Sequence, residues 1–193
     1  MPLTPAQFIA KGHGKTAPWA DLVNSEEWDT YGKRTDWLAD PSWLPFFLRR
    51  WGFAGPGRSR FPATQFLELR KALRKCCEAL FSGRQMAPSE LRVLNRALGV
   101  PGTRALIVSP SGLDVAFVPQ TKEKDWDWIL AQIALSFAEL AASANSERIK
   151  ICRNNDCRWV FYDASKAKSR RWCSDKVCGN RERVRRARAR ACS

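Results

Sequence analysis

The chain has 193 residues, a formal net charge of +14 and seven cysteines. That length leaves room for one good hydrophobic core and a small appendage, because domains commonly run to about 100–150 residues. The adjacent Cys76 and Cys77 and the start MPLTPAQFIAKGHGK, which lacks a long apolar stretch, argue against a secreted disulfide framework, and no run approaches the ~18 apolar residues of a membrane span. A reducing, cytoplasmic setting without a membrane partner is therefore expected.

The nine tryptophans are concentrated early, five of them before residue 52. Short helices are expected over 36–39 and 41–51, with Asp40 as the cap and Pro41 at the first helical position. From Pro62 to Phe81 the apolar residues Phe66, Leu69, Leu73, Cys76, Cys77 and Leu80 recur at helical spacing up to Gly83, which predicts a long core helix with a basic outer face. Ser89 is placed to cap a shorter helix carrying Leu91, Leu94 and Leu98.

Between Arg104 and Val118 the pattern changes. Ala105–Val108 and Leu113–Val118 are β-prone runs around Ser109, Pro110, Ser111 and Gly112, and they predict a hairpin. Asp125 then precedes an amphipathic helix with Trp126, Ile129, Leu130, Ile133, Phe137 and Leu140. The pattern frays at Ser143–Asn145, so the domain boundary is expected between about 144 and 150.

Charge divides the chain at the same place. Residues 150–193 hold fourteen Lys or Arg against four Asp or Glu, leaving only +4 for all the rest. Polyanion binding, with nucleic acid as the natural partner, belongs to this end.

Cys152 and Cys157 form one pair with four residues inside it, and Cys173 and Cys178 form a matching pair fifteen residues later. Two matched pairs in a reducing compartment point to a tetrahedral thiolate site. Four thiolates close the coordination sphere of one zinc ion, so the metal is structural; such a site also accepts iron. Trp159–Tyr162 and Arg170–Trp172 are expected to pair as a hairpin across a polar turn, bringing the cysteines together. Cys76 and Cys77 read as core residues, and Cys192 as an unligated tail thiol.

After Cys178 the residues favour a helix. On a wheel Val184, Ala187 and Ala191 share one face, which is expected to pack on the hairpin, while Arg181, Arg185 and Arg188 form one basic group and Arg183, Arg186 and Arg190 another. Together with Arg170, Arg171 and Asn180 these arginines are the candidate nucleic-acid contacts, some on phosphates and some on guanine edges. A solvated basic tail that binds any polyanion is the plainer alternative.

The segment CRNNDCRWVFYDASKAKSRRWCSDKVCGNR, Cys152 to Arg181, resembles the CGNR zinc finger, which is named for the tetrapeptide present here as Cys178, Gly179, Asn180 and Arg181. One departure is the turn at Lys166, Ala167 and Lys168, where the family pattern has an asparagine. Upstream, DLVNSEEWD (Asp21 to Asp29), Asp36–Leu38, Leu69, Arg70, Leu73 and LNRALG (Leu94 to Gly99) are similar to the ABATE domain that accompanies this finger. The resemblance implies a bacterial transcriptional regulator, linked to stress, that binds zinc and DNA.

The expected fold is α+β: a mainly helical domain with one β-hairpin over residues 1–147, then a zinc-stabilised hairpin and basic helix over 148–193. The N-terminal domain is expected to sense a small-molecule effector or to form a homodimer. Asn24, Glu27, Trp28 and Trp37, with Glu26 and Asp29 nearby, are the candidate pocket; simple core packing and helix capping is the competing account of the same residues. RNA or ribosome association through the finger is an alternative function. Catalysis is the less favoured one, since adjacent carboxylates do not oppose each other across a substrate and the only histidine, His13, lies between glycines.

Overall fold

The computed structural model describes residues 17–28, 33–53, 55, 59–109, 112–119 and 125–191. His13, Asp29 and Cys192 lie outside the described residues.

Three helices make the main core. The first, α1 (Pro18–Asn24), begins with proline at a position where its missing N–H costs nothing, and it buries Trp19, Leu22 and Val23. From Asn24 the chain passes into a short antiparallel ribbon, β1 (Glu26–Trp28) with β2 (Arg34–Asp36), in which Glu26 faces Asp36. This ribbon has no apolar alternation to announce it. It is held by charge: Arg34 pairs with Glu26 at 2.6 Å, and the 3 % exposed Arg70 makes two bonds of 2.6 and 2.7 Å to the Asp36 carboxylate. The Arg70 bonds hold the Asp36 pKa below the usual carboxylate range, although partial burial opposes them.

A 3-10 turn (Trp37–Ala39) leads to α2 (Trp43–Trp51). The helix starts two residues later than expected, because the Asp40 carboxylate accepts from both the backbone N–H and the hydroxyl of Ser42 and holds Asp40–Ser42 in a turn. Next, α3 (Ala63–Phe81) buries the predicted stripe of Phe66, Leu69, Leu73, Cys76 and Cys77. Gly83, with φ of +65°, closes it in the left-handed conformation that favours glycine. Burial pushes the Cys76 thiol up to about 11 and Cys77 higher still, so both stay protonated as packing residues.

In α4 (Pro88–Leu98), Pro88 takes the first helical position after Ala87, and the Ser89 hydroxyl donates to Glu90 instead of capping. The hairpin of β3 (Gly102–Ser109) and β4 (Gly112–Pro119) runs in register from Gly102 opposite Pro119 to Ser109 opposite Gly112. The last core helix, α5 (Trp126–Ala141), is capped as expected: Asp125 accepts from the Trp128 N–H at 3.0 Å. Its Trp126 meets Phe66 edge-on and its Phe137 meets Trp19.

The expected domain boundary is crossed by the packing. After a 3-10 turn (Ser146–Arg148), β5 (Ile149–Ile151) pairs antiparallel with β6 (Val160–Tyr162), and the pair lies against α3 and α1. Ile149, Val160 and Phe161 belong to the same buried cluster as Trp19 and Phe66. No helix among the described residues is long and apolar enough to cross a membrane.

Candidate metal centre and basic helix

The strand pair is not the one expected. Val160–Tyr162 pairs with Ile149–Ile151, ahead of the first cysteine, and not with Arg170–Trp172. The reason is burial: Ile149 and Val160 can be covered by the helices, whereas a strand of Arg170 and Arg171 cannot. The first cysteine pair thereby becomes the turn of the hairpin. Cys152 N–H donates to Trp159 O at 2.8 Å, Cys157 N–H donates to Asn154 O at 3.0 Å, and the buried Asn154 side chain accepts from the Asp156 N–H.

The second pair sits on a wide π-turn (Asp175–Gly179), whose entry is capped by Ser174 accepting from the Val177 N–H. The four residues between the cysteines are what this wide turn accommodates. Gly179 is required by a close approach: a Cβ there would lie 2.9 Å from the Trp172 ring and 2.4 Å from Asp175 Oδ1. A single backbone bond, Arg153 N–H to Arg171 O at 3.0 Å, ties the two turns together.

All four Sγ atoms lie within 4.8 Å of one another, with Cys157 to Cys173 at 3.5 Å and Cys173 to Cys178 at 3.6 Å. A tetrahedral zinc with Zn–S near ~2.3 Å requires S···S separations of about 3.8 Å, so the quartet fits the ion with little adjustment. The thiols are also electrostatically interlocked. S–H bonds from Cys157, Cys173 and Cys178 push the Cys152 pKa down, while hydrogen bonding to Cys152 pushes Cys173 up. Four thiols gathered this closely can all ionise together only around a cation, which suits a metal site.

Around the quartet, side chains that the sequence did not single out hold the loop. Asp163, fully buried, accepts from the N–H and hydroxyl of Ser165 and from the Arg170 N–H; burial alone raises its pKa, and these bonds reverse the shift. Arg148 donates to the carbonyls of Asp163 and Ser165. The D-x-S spacing of Asp163 and Ser165 is a local turn signal that could have been read. Arg170, expected on nucleic acid, has another task. Its guanidinium lies 4.7 Å above the Phe161 ring and donates to the carbonyls of Trp172 and Cys173, so it braces the metal loop from within.

The basic helix, α6 (Asn180–Ala191), follows the π-turn directly. It departs from expectation in one respect: Val184, Ala187 and Ala191 do not pack on the hairpin. They are exposed, as is every described residue after Glu182, because the helix leaves the module at that point. Glu182 is buried and pairs with Arg185 at 3.0 Å and Arg186 at 3.5 Å, while Arg183 clamps Asp175 at 3.0 and 3.2 Å. Arg181, Arg188 and Arg190 have no acidic partner among the described residues, and neither do Arg153 and Arg171 beside the cysteine turns.

The four residues named as a pocket are engaged with neighbouring groups. Asn24 is spent on the finger: its amide donates to Val160 O at 2.8 Å and accepts from Val160 N–H at 2.9 Å, so the side chain acts as a one-residue strand. Glu27 accepts from the Trp37 indole at 3.0 Å, and Trp28 lies beneath the Arg158 guanidinium at 4.8 Å. Arg74 completes this seat, donating to Arg158 O and Val23 O. A polar Asn24 directly after the apolar Leu22 and Val23 was the only sequence signal of the seat.

The model of the CGNR zinc finger matches residues 148–191, and that of ABATE, described as a putative stress-induced transcription regulator, matches residues 16–144. Neither description is that of an enzyme, and none of the curated proteins matches the chain. With about two thirds of its length in the ABATE match and the remainder folded around a quartet of cysteines, the chain belongs to the ABATE family and carries a C-terminal CGNR finger with one structural zinc site.

Proposed function

We propose that the protein is a transcription regulator that binds duplex DNA through α6 and the arginines beside the zinc ligands. One observation carries this reading: α6 leaves the module at Glu182 and runs exposed, presenting Arg188 and Arg190 with the half-buried Arg181 at its root, none of them with an acidic partner among the described residues. A rigid helix whose cations are not neutralised from within suits a phosphate-lined groove. Arg153 and Arg171 extend the same surface at the base of the helix. Arg183 is shared with Asp175, but that ion pair is exposed and weak, so a phosphate can displace it; Arg185 and Arg186 stay on the buried Glu182, and their largely exposed guanidiniums keep further donors for phosphate.

In this reading the N-terminal unit seats the finger through Asn24 and Arg74, and zinc holds the helix root. The test is affinity of the full zinc-loaded chain for duplex DNA and for structured RNA at equal salt. Replacing Arg188 and Arg190 with alanine is expected to weaken duplex binding more than tenfold at unchanged zinc content. It should also flatten the dependence of log affinity on log salt by about 2, roughly one per phosphate contact. Unchanged affinity in that variant rejects α6 as the contact surface, and a preference for RNA favours the RNA-binding alternative.

A further inference from the structure

At about 100° per residue α6 divides into distinct arcs. Glu182, 8 % exposed, marks the side turned toward the protein. Diametrically opposite lie Asn180, Val184, Ala187 and Ala191, all exposed, with Val184 at 42 %. Arg181, Arg185 and Arg188 stand along one edge of this seam, and Arg183 and Arg190 along the other. An apolar seam between two rows of arginine therefore faces directly away from the molecule.

The charge of those rows decides what covers the seam. A second copy of α6 would bring a second set of six arginines to a helix-packing distance of ~8–10 Å. The one carboxylate of α6, Glu182, is on the far side and already engaged by Arg185 and Arg186. Duplex DNA offers the opposite charge, about one phosphate per ~1.7 Å of axis, and a major groove about 12 Å wide that admits a helix. With arginines directed to the phosphates on both sides, the seam faces the floor of the groove. The apolar group on that floor is the 5-methyl of thymine, whereas guanine O6 and N7 and cytosine N4 find no partner in valine or alanine.

We propose that Val184 and Ala187 read thymine 5-methyl groups, with Asn180 on the same arc placed to pair with N6 and N7 of adenine. The inference rests on the DNA-binding reading above and adds a base preference to it. Contacts from the arginines position the helix, and contacts from the seam select A·T pairs.

The test begins with duplexes enriched from a random pool by the full zinc-loaded chain. The best site is then made with deoxyuridine in place of thymine, which pairs identically and lacks only the methyl. Affinity is expected to fall about fourfold per contacted methyl, the equivalent of ~0.8 kcal/mol each. Val184→Ala should weaken binding to the thymine duplex, retain zinc, and lose most of the sensitivity to deoxyuridine. Equal affinity for the thymine and uracil sites overturns the inference and leaves DNA binding standing, as does binding of random duplex as tightly as enriched duplex. A dimer in sedimentation that Val184→Arg splits would assign the seam to a second copy instead. Failure to bind any duplex rejects the DNA reading itself and the inference with it.

Discussion

The N-terminal unit and the finger solve the same problem by different means. In the first, α1, α3 and α5 bury Trp19, Phe66, Leu69, Leu73, Ile129, Ile133 and Phe137, and apolar area removed from water at roughly 25 cal/mol per Å² supplies the stability. In the second, residues 149–191 bury few large side chains of their own and depend on four thiolates and on polar hubs such as Asp163. The cysteine turns do not enclose a separate miniature core. They close a strand pair whose Ile149, Val160 and Phe161 complete the core of the other unit, with Asn24 joining the two.

The sharpest way to break that comparison is to remove the zinc. Apparent binding energies of structural zinc sites are about 10–16 kcal/mol, so Cys173→Ser should release the ion and unfold residues 149–191. Because the strands share the main core, the melting temperature of the whole chain should fall as well, as measured by calorimetry alongside zinc stoichiometry. An N-terminal transition unchanged by the loss of zinc would show the two units to be energetically separate.

A smaller effect is expected from the joint itself. Asn24→Ala leaves the N–H and C=O of Val160 buried without partners, at ~1–3 kcal/mol for each group. Stability should drop by about 2–4 kcal/mol, with hydrogen exchange at Val160 accelerating and zinc retained. Slow exchange at Val160 in this variant would mean that the zinc module holds its strand unaided.

Within the N-terminal core, Asp21 gives a pH signature of opposite sign to that of Asp163 in the finger, whose pKa is lowered. Burial raises its pKa to about 6, with the Arg50 ion pair and the Trp51 bond only partly compensating. Between its ordinary value and pH 6 the folded state keeps a proton that the unfolded state has released, so stability from this group falls as pH rises through that window. At ~1.4 kcal/mol per pKa unit the change is at most about 3 kcal/mol. Compared with Asp21→Asn by denaturant titration, the native chain should lose relative stability from pH 4 to 6 and little above it. A flat difference would show that the carboxyl is ionised throughout.

The smallest expected effect lies in the finger's polar turn. Lys168 has φ of +52°, a conformation that asparagine tolerates better than lysine, and this is the stretch where the sequence departs from the family's asparagine. Lys168→Asn should stabilise the chain by about 0.5–1 kcal/mol in denaturant titration, and a loss would mean that the Lys168–Glu147 pair contributes more than the backbone strain costs.

Local chemistry made much of this legible. The helical stripe of α3, the Asp125 cap of α5 and the paired spacing of Cys152, Cys157, Cys173 and Cys178 are short-range patterns, and each lies where the sequence indicated. Residues whose partners are remote in sequence were opaque. Asn24 meets Val160 across 136 positions, and Arg70 and Asp36 hold a ribbon that has no apolar pattern. The arginines illustrate the same divide: composition showed a basic segment, but which guanidiniums are available depends on neighbours, as Arg170 over Phe161 and Arg183 on Asp175 show.

The sequence by itself therefore determined the longer helices, though not α1, together with the metal ligands and the sign of the charge at the C-terminal end, because periodicity, donor type and net charge are properties of neighbouring residues. Only the tertiary structure decided which strand β6 pairs with, that the finger shares the N-terminal core, and that the Val184 face of α6 points outward. Those outcomes depend on which apolar and polar groups compete for the same buried space, and that competition is settled between segments far apart in the chain.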